Sequence, residues 1–229
     1  GSGPAIVLLH GFPGLAFTWR HQIPALAAAG RRVIAPDLRG YGRTDAPTGT
    51  AAYALPFLGD DVLRLMDALG IEKAAVVGHD WGGFIGWHLA MHAPDRIERF
   101  AALSTGHPAA IAQAGLSQYL RFWYVLVFKT PILAERLLRA NDWFVLRQMI
   151  NNREQQDIWR VPLEPEGRLT AALDYYRANF TPSAPRHWKP VDVPVMGVWS
   201  DRDPALGEQQ MRNSRAYCRA GFRFERLDD

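Results

Sequence analysis

Short apolar runs alternating with helical patterns constrain this chain more than any other feature of its sequence. Ala5 to Leu9 (AIVLL) sits between Gly3-Pro4 and His10-Gly11, and Ala74 to Val77 (AAVV) runs directly into Gly78. Runs this short and wholly apolar suit strands buried on both faces, as in a parallel sheet covered by helices. Arg32 to Ala35, Ile97 to Leu103, Val193 to Trp199 and Phe222 to Leu227 read as further strands. Between them, residues 17–29 carry a helical pattern closed by Gly30, Asp60 to Leu69 a helix stopped by Gly70, and Gly82 to His92 a helix ended by Pro94. A polar helix is expected from about Gly207 to Arg219. This order predicts an α/β fold with a mostly parallel sheet and helices on both faces.

After Ser104 the alternation stops. Residues 105–190 read as helices rich in Trp, Tyr, Leu and Arg, with prolines at 108, 131, 162, 165, 182 and 185. The expected organisation is a core made from residues 1–104 and 191–229, with 105–190 inserted as a helical lid. A chain of 229 residues, 48% hydrophobic, suffices for one such domain.

Composition narrows the function. Twenty-six basic residues against 23 acidic ones give a net charge of +3, and they are scattered, so nucleic-acid binding has little support. The apolar stretch Phe122 to Phe128 is far short of the roughly 18 residues of a membrane span, and no signal peptide is visible. Cys218 is the sole cysteine, which excludes an intrachain disulfide and suits a reducing compartment; a cytoplasmic location is the default expectation. His88 and His92 have the spacing of a helical metal pair but no third ligand, so packing is expected and no metal.

In open parallel sheets ligands bind beyond the carboxyl ends of the strands, so the residues just after each run are informative. Three such positions stand out: His10-Gly11-Phe12-Pro13-Gly14, Gly78-His79-Asp80-Trp81-Gly82-Gly83, and Ser200-Asp201-Arg202-Asp203-Pro204. The second has the small-x-nucleophile-x-small spacing of a strand-to-helix elbow, with Asp80 in the nucleophile's place. The following helix N-terminus favours negative charge, so Asp80 is expected to stay a carboxylate at neutral pH. The competing reading is an ordinary helix cap. A carboxylate nucleophile suits displacement at a saturated carbon, leaving an alkyl ester on the protein.

With Asp37-Leu38-Arg39-Gly40-Tyr41-Gly42 and Asp203-Pro204-Ala205-Leu206-Gly207, these motifs resemble the α/β-hydrolase fold, within it the aspartate-nucleophile branch of epoxide hydrolases and haloalkane dehalogenases. The resemblance runs from about residue 3 to the end. It implies Asp80 as nucleophile, the main-chain N–H groups of Phe12 and Trp81 as an oxyanion hole, and Pro13 shaping the loop that carries Phe12. Phe122 to Pro131 resembles the first lid tyrosine segment and Leu173 to Asn179 the second. Tyr124 and Tyr176 are thereby the implied donors to an epoxide oxygen, with Tyr175 the alternative to Tyr176. Trp123 and His107 are expected to border the substrate. Asp203 is preferred to Asp201 as the acid that orients a histidine.

The implied reaction takes an epoxide and water to a vicinal diol without a cofactor. A halide cradle would need Trp81 plus a lid tryptophan, namely Trp123, Trp143, Trp159 or Trp188. Phe12 stands where many dehalogenases carry Asn or Glu, which favours the epoxide. The resemblance places the histidine after the last strand, but the seven histidines are 10, 21, 79, 88, 92, 107 and 187. The expectation is a fragment lacking early strands, a C-terminal helix and the base. A hydrolase-fold binding protein with a dead site is the alternative.

Overall fold

The computed structural model describes residues 1–150, 156–181 and 188–228, so His187 and the prolines at 182 and 185 lie outside the described residues. Six strands, β1 (Ala5–Leu9), β2 (Arg32–Ile34), β3 (Ala74–His79), β4 (Ile97–Leu103), β5 (Val195–Ser200) and β6 (Phe222–Leu227), form one sheet in the order β2-β1-β3-β4-β5-β6. Every neighbouring pair is parallel. β3 runs two residues further than its apolar core suggests, through His79, which makes Asp80 the first residue beyond it.

The wholly apolar strands have a simple cause, since alternate side chains point to opposite faces and both faces are covered. Val7, Leu9, Ala74, Val76, Phe100 and Ala102 pack with α2 (Leu55–Ala68) and α3 (Trp81–His92). Ile6, Leu8 and Ala75 pack with Trp19 and with Ile23 and Leu26 of α1 (Gln22–Ala28). α3 is buried over nearly its whole length, as a helix apolar on all sides must be.

The helix expected over residues 17–29 is divided into a 3-10 turn, Ala16–Trp19, and α1. Pro24 lacks an N–H and belongs in a first helical turn, so a helix containing it starts close by. α2 begins at Leu55, with Pro56 in its first turn, five residues before the expected start at Asp60. Between β4 and β5 the chain forms α4 (Pro108–Ala112), α5 (Leu116–Arg121), α6 (Trp123–Phe128), α7 (Leu133–Met149), α8 (Gln156–Arg160) and α9 (Arg168–Asn179). α7 is broken at Ala140–Trp143, where Asn141, Asp142 and Trp143 have positive φ. α10 (Glu208–Asn213) is shorter than expected and passes into a 3-10 turn, Ser214–Tyr217.

α9 seats this insertion on the core. The Tyr175 hydroxyl donates to Arg39 O at 2.7 Å, Leu55 N–H donates to Asn179 Oδ1 at 2.9 Å, and Thr50 Oγ1 donates to Asp174 Oδ1 at 3.1 Å. Among the described residues no helix is long and apolar enough to cross a membrane, and no three-residue group of His, Cys, Asp or Glu is placed to hold a metal.

Candidate active site

From β1 the chain turns to β2 on one side and later reaches β3 on the other, which makes the β1/β3 edge the switch point where such sheets bind ligands. The pairing Leu9↔Gly78 sets His10-Gly11-Phe12 against Asp80. Asp80 turns the chain into α3 with φ 53° and ψ −118°, a conformation that costs about 1–3 kcal/mol and persists only where the surroundings impose it. Here they do. A Cβ on Gly78 would stand 2.2 Å from Gly82 O, and one on Gly82 would stand 2.1 Å from Leu9 O. Gly82 N–H donates to His10 O at 2.9 Å, locking the elbow to the β1 loop.

The Asp80 side chain makes no capping bond to α3, which rejects the helix-cap reading. It reaches across to the β1 loop, where Phe12 N–H donates to Oδ1 at 2.8 Å. Burial raises its pKa; His79 and the N–H groups of Phe12 and Trp81 oppose the rise, and Asp203 adds to it. The donors therefore offset burial only in part.

His10 keeps the neighbouring loop in place. Its Nε2 accepts from Leu38 N–H at 2.9 Å and its Nδ1–H donates to Gly11 O at 3.1 Å. Burial lowers its pKa to about 4, which keeps it neutral and able to accept.

Two tyrosines of the insertion close over Asp80. The Tyr176 ring meets Trp81 edge-on at 5.0 Å, Phe128 at 5.0 Å and Phe12 at 5.9 Å, and Tyr124 lies 6.2 Å from Tyr176. Burial raises both phenol pKa values, and the negative charge of Asp80 pushes the same way, so both are protonated donors at neutral pH. Tyr175 spends its hydroxyl on Arg39, and its ring packs against Tyr41, Tyr53 and Trp81. The Trp81 indole is close enough to Tyr176 to favour its ionised form as the smallest of these influences, yet its buried Nε1 makes no hydrogen bond among the described residues.

The Asp203 Oδ1 accepts from Ala205 N–H at 2.9 Å and Leu206 N–H at 2.8 Å, and its charge acts on both Asp80 and Tyr124. Asp201 sits near the surface, 3.7 Å from Arg226. The insertion clamps this acid loop through residues that no local pattern flags. Gln118 Nε2 donates to Ala205 O at 2.8 Å, Gly207 N–H donates to Gln118 Oε1 at 2.9 Å, and Arg121 Nη1 donates to Asp203 O at 3.1 Å.

Two expected substrate contacts are corrected. Trp123 is 66% exposed and meets the site only through the edge of Tyr124, because one helical step turns a side chain by about 100°. His107 is fully buried and both its ring nitrogens are used: Nδ1 accepts from Ala109 N–H as the cap of α4, and Nε2–H donates to Lys189 O, each at 3.2 Å. It stacks on Tyr217 at 4.3 Å. Pro13 follows Phe12 through a cis peptide and is half-buried.

A carboxylate at a strand-to-helix elbow, facing a main-chain N–H of the adjacent strand's loop, is an arrangement found in hydrolases. The chain belongs to the α/β-hydrolase fold family, whose model matches residues 4–228. It is 35% identical to the AB hydrolase superfamily protein YfhM of Bacillus subtilis, over 96% of this chain and 80% of that protein. Epoxide hydrolase A of Mycobacterium tuberculosis is 36% identical over 96% of this chain, which spans 64% of that enzyme's length. The crystal structure of epoxide hydrolase A from Mycobacterium thermoresistibile matches with a TM-score of 0.82 and 28% identity, over 99% of this chain and 84% of that one.

Proposed function

We propose that the chain acts on epoxides and converts them to vicinal diols through an ester on Asp80. The observation that carries this reading is the convergence on one buried carboxylate of a main-chain N–H from below and two protonated phenols, Tyr124 and Tyr176, from above. Asp80 attacks a ring carbon with one oxygen, the carbon–oxygen bond opens, and its electron pair leaves on an oxygen that takes a proton from a tyrosine. Water then attacks the aspartyl Cγ. The charge that develops on Oδ1 meets the N–H groups of Phe12 and Trp81, donors of a kind worth about 10²- to 10³-fold each in rate. Collapse releases the diol and restores the carboxylate, and the proton the water gives up, taken first by the base, returns to the tyrosine.

Asp203 is the group to orient a histidine base for that second step. His10 and His107 are not candidates, since their ring nitrogens are engaged elsewhere.

A second reading, haloalkane dehalogenation, has one observation in its favour, the buried Trp81 Nε1, which makes no hydrogen bond among the described residues. Against it, Trp123 is 66% and Trp188 37% exposed, Trp143 packs under Arg139 and Trp159 against Phe17, so none of the lid tryptophans speaks for a second indole of a halide cradle. Incubation with a panel of epoxides and haloalkanes, followed by peptide mass spectrometry and product analysis, tests both. Diol and an adduct on Asp80 are expected; halide release without diol would replace the reading, and an adduct on no residue would remove the nucleophile.

A further inference from the structure

We propose that Arg177 is a positioning residue that fixes Tyr124 and Tyr176 relative to each other and thereby sets the rate of epoxide ring opening. The inference rests on the proposed role of the two tyrosines. These sit on different helices, Tyr124 on α6 and Tyr176 on α9, and their rings touch without a hydrogen bond between them. Ring edges hold a distance loosely, because contact energy changes little over a few tenths of an ångström. A directional tie between the two helices has to come from elsewhere.

Arg177 supplies it. It follows Tyr176 on α9, so its side chain leaves the helix about 100° away and reaches sideways under α6 and α7. Its Nε–H donates to Phe128 O, the last carbonyl of α6, at 3.1 Å. Its Nη1 and Nη2 meet Glu135 Oε1 and Oε2 of α7 at 2.9 and 3.0 Å, a two-pronged pair, and Nη1 also donates to Asp174 Oδ1 at 3.2 Å. Thr170 Oγ1 donates to Glu135 Oε1 at 3.1 Å, tying the carboxylate back to α9. The Arg177 side chain is only 7% exposed. A planar guanidinium fork holds such partners at fixed angles, which a lysine ammonium does not.

The consequence for chemistry follows from the chain. Phe128 lies one helical turn beyond Tyr124, and its ring meets both Tyr124 at 5.4 Å and Tyr176 at 5.0 Å. Fixing Phe128 O against Arg177 therefore fixes the turn of α6 that presents Tyr124 to the turn of α9 that presents Tyr176. Both hydroxyls have to meet one epoxide oxygen, and a misplacement of about 1 Å can cost on the order of 10²-fold in rate.

The test is Arg177→Lys in the full-length protein, followed by single-turnover quench and mass spectrometry. These separate the appearance of the Asp80 ester from its decay. Ester formation is expected to slow by about 10- to 100-fold while ester hydrolysis stays within about threefold, because only ring opening uses the tyrosines. Formation at the wild-type rate, or both steps slowed together, would overturn the inference. Glu135→Gln, which weakens the fork while keeping its shape, should slow the same step about 3- to 10-fold and decides the matter if the lysine variant does not fold. Tyr124→Phe and Tyr176→Phe keep the two proposals apart. If they leave ester formation unchanged, the tyrosine roles fail; if they slow it and the Arg177 and Glu135 variants do not, only the positioning role fails.

Discussion

At the elbow, main chain meets main chain; in the insertion above it, side chain meets side chain. Gly78 and Gly82 bring backbone against backbone, and Gly11 brings backbone against the Asp80 side chain, at distances that no Cβ could share, and Asp80 is held in a conformation that few residues adopt. The insertion instead presents Tyr124, Phe128, Tyr176 and Phe180 through ring edges, and is tied down by a buried guanidinium and a few side-chain hydrogen bonds. The first kind of packing fixes Asp80 and accepts no added atom. The second fixes Tyr124 and Tyr176, and single atoms can be removed from it at a graded cost.

The largest effect separating the two regions should come from Asp80→Ala, which is expected to lower kcat/KM for an epoxide by about 10⁴-fold or more and to abolish the protein adduct. Gly11→Ala follows. A Cβ there would stand 2.3 Å from Asp80 Oδ1, so activity should fall by more than about 10²-fold and stability by about 1–3 kcal/mol in urea melts. The contrasting glycine is Gly115 of the insertion, which has nothing within 4 Å but a φ of 80°; its alanine variant should lose about 1–2 kcal/mol of stability while keeping activity within about threefold. An active Gly11→Ala enzyme would break the comparison.

Smaller differences lie within the insertion. Tyr176→Phe should slow ester formation by about 10²-fold. Tyr175→Phe removes only the bond to Arg39 O and should cost about 1 kcal/mol of stability with activity almost unchanged. A reversed order of the two would reassign the donor.

The pH dependence sharpens the contrast further. His107 and His10 are neutral when folded, with pKa values lowered to about 4 from 6.5, so the unfolded chain takes up their protons first as pH falls. Stability should therefore drop between pH 6.5 and about 4 by thermal melts, and His107→Gln should flatten part of that slope. Asp80 acts in the opposite sense. Its raised pKa means the folded carboxyl binds its proton more tightly than the unfolded one, so this group costs stability as pH rises above 3.8. At neutral pH Asp80→Asn should melt higher than the native protein while losing activity.

Much of this was legible in the sequence where local rules govern. The five-residue apolar β1 and the glycine spacing around Asp80 encode burial and close approach directly, and these gave the sheet and the elbow. Pro56 in the first turn of α2 was a start signal that the apolar pattern alone did not reveal. Adjacent helical residues point in different directions, so the sequence could not decide between Tyr175 and Tyr176, and it placed Trp123 in the site when only Tyr124 faces it. His107 was misread because a histidine cap is rare among capping residues, and its position after β4 suggested substrate instead. Gln118 and Arg121 were invisible, since their partners on the acid loop lie more than 80 residues away.

The Phe12 N–H that points at Asp80 has a pharmacological consequence. In the resting protein this donor is already satisfied by an oxygen of the Asp80 carboxylate. Aldehydes, boronates and phosphonates that trap serine hydrolases by placing an oxygen between such donors would find the position occupied and no hydroxyl to bond with. Compounds selective for this chain should carry a strained or activated carbon electrophile, and the broad serine-directed warheads should pass it by.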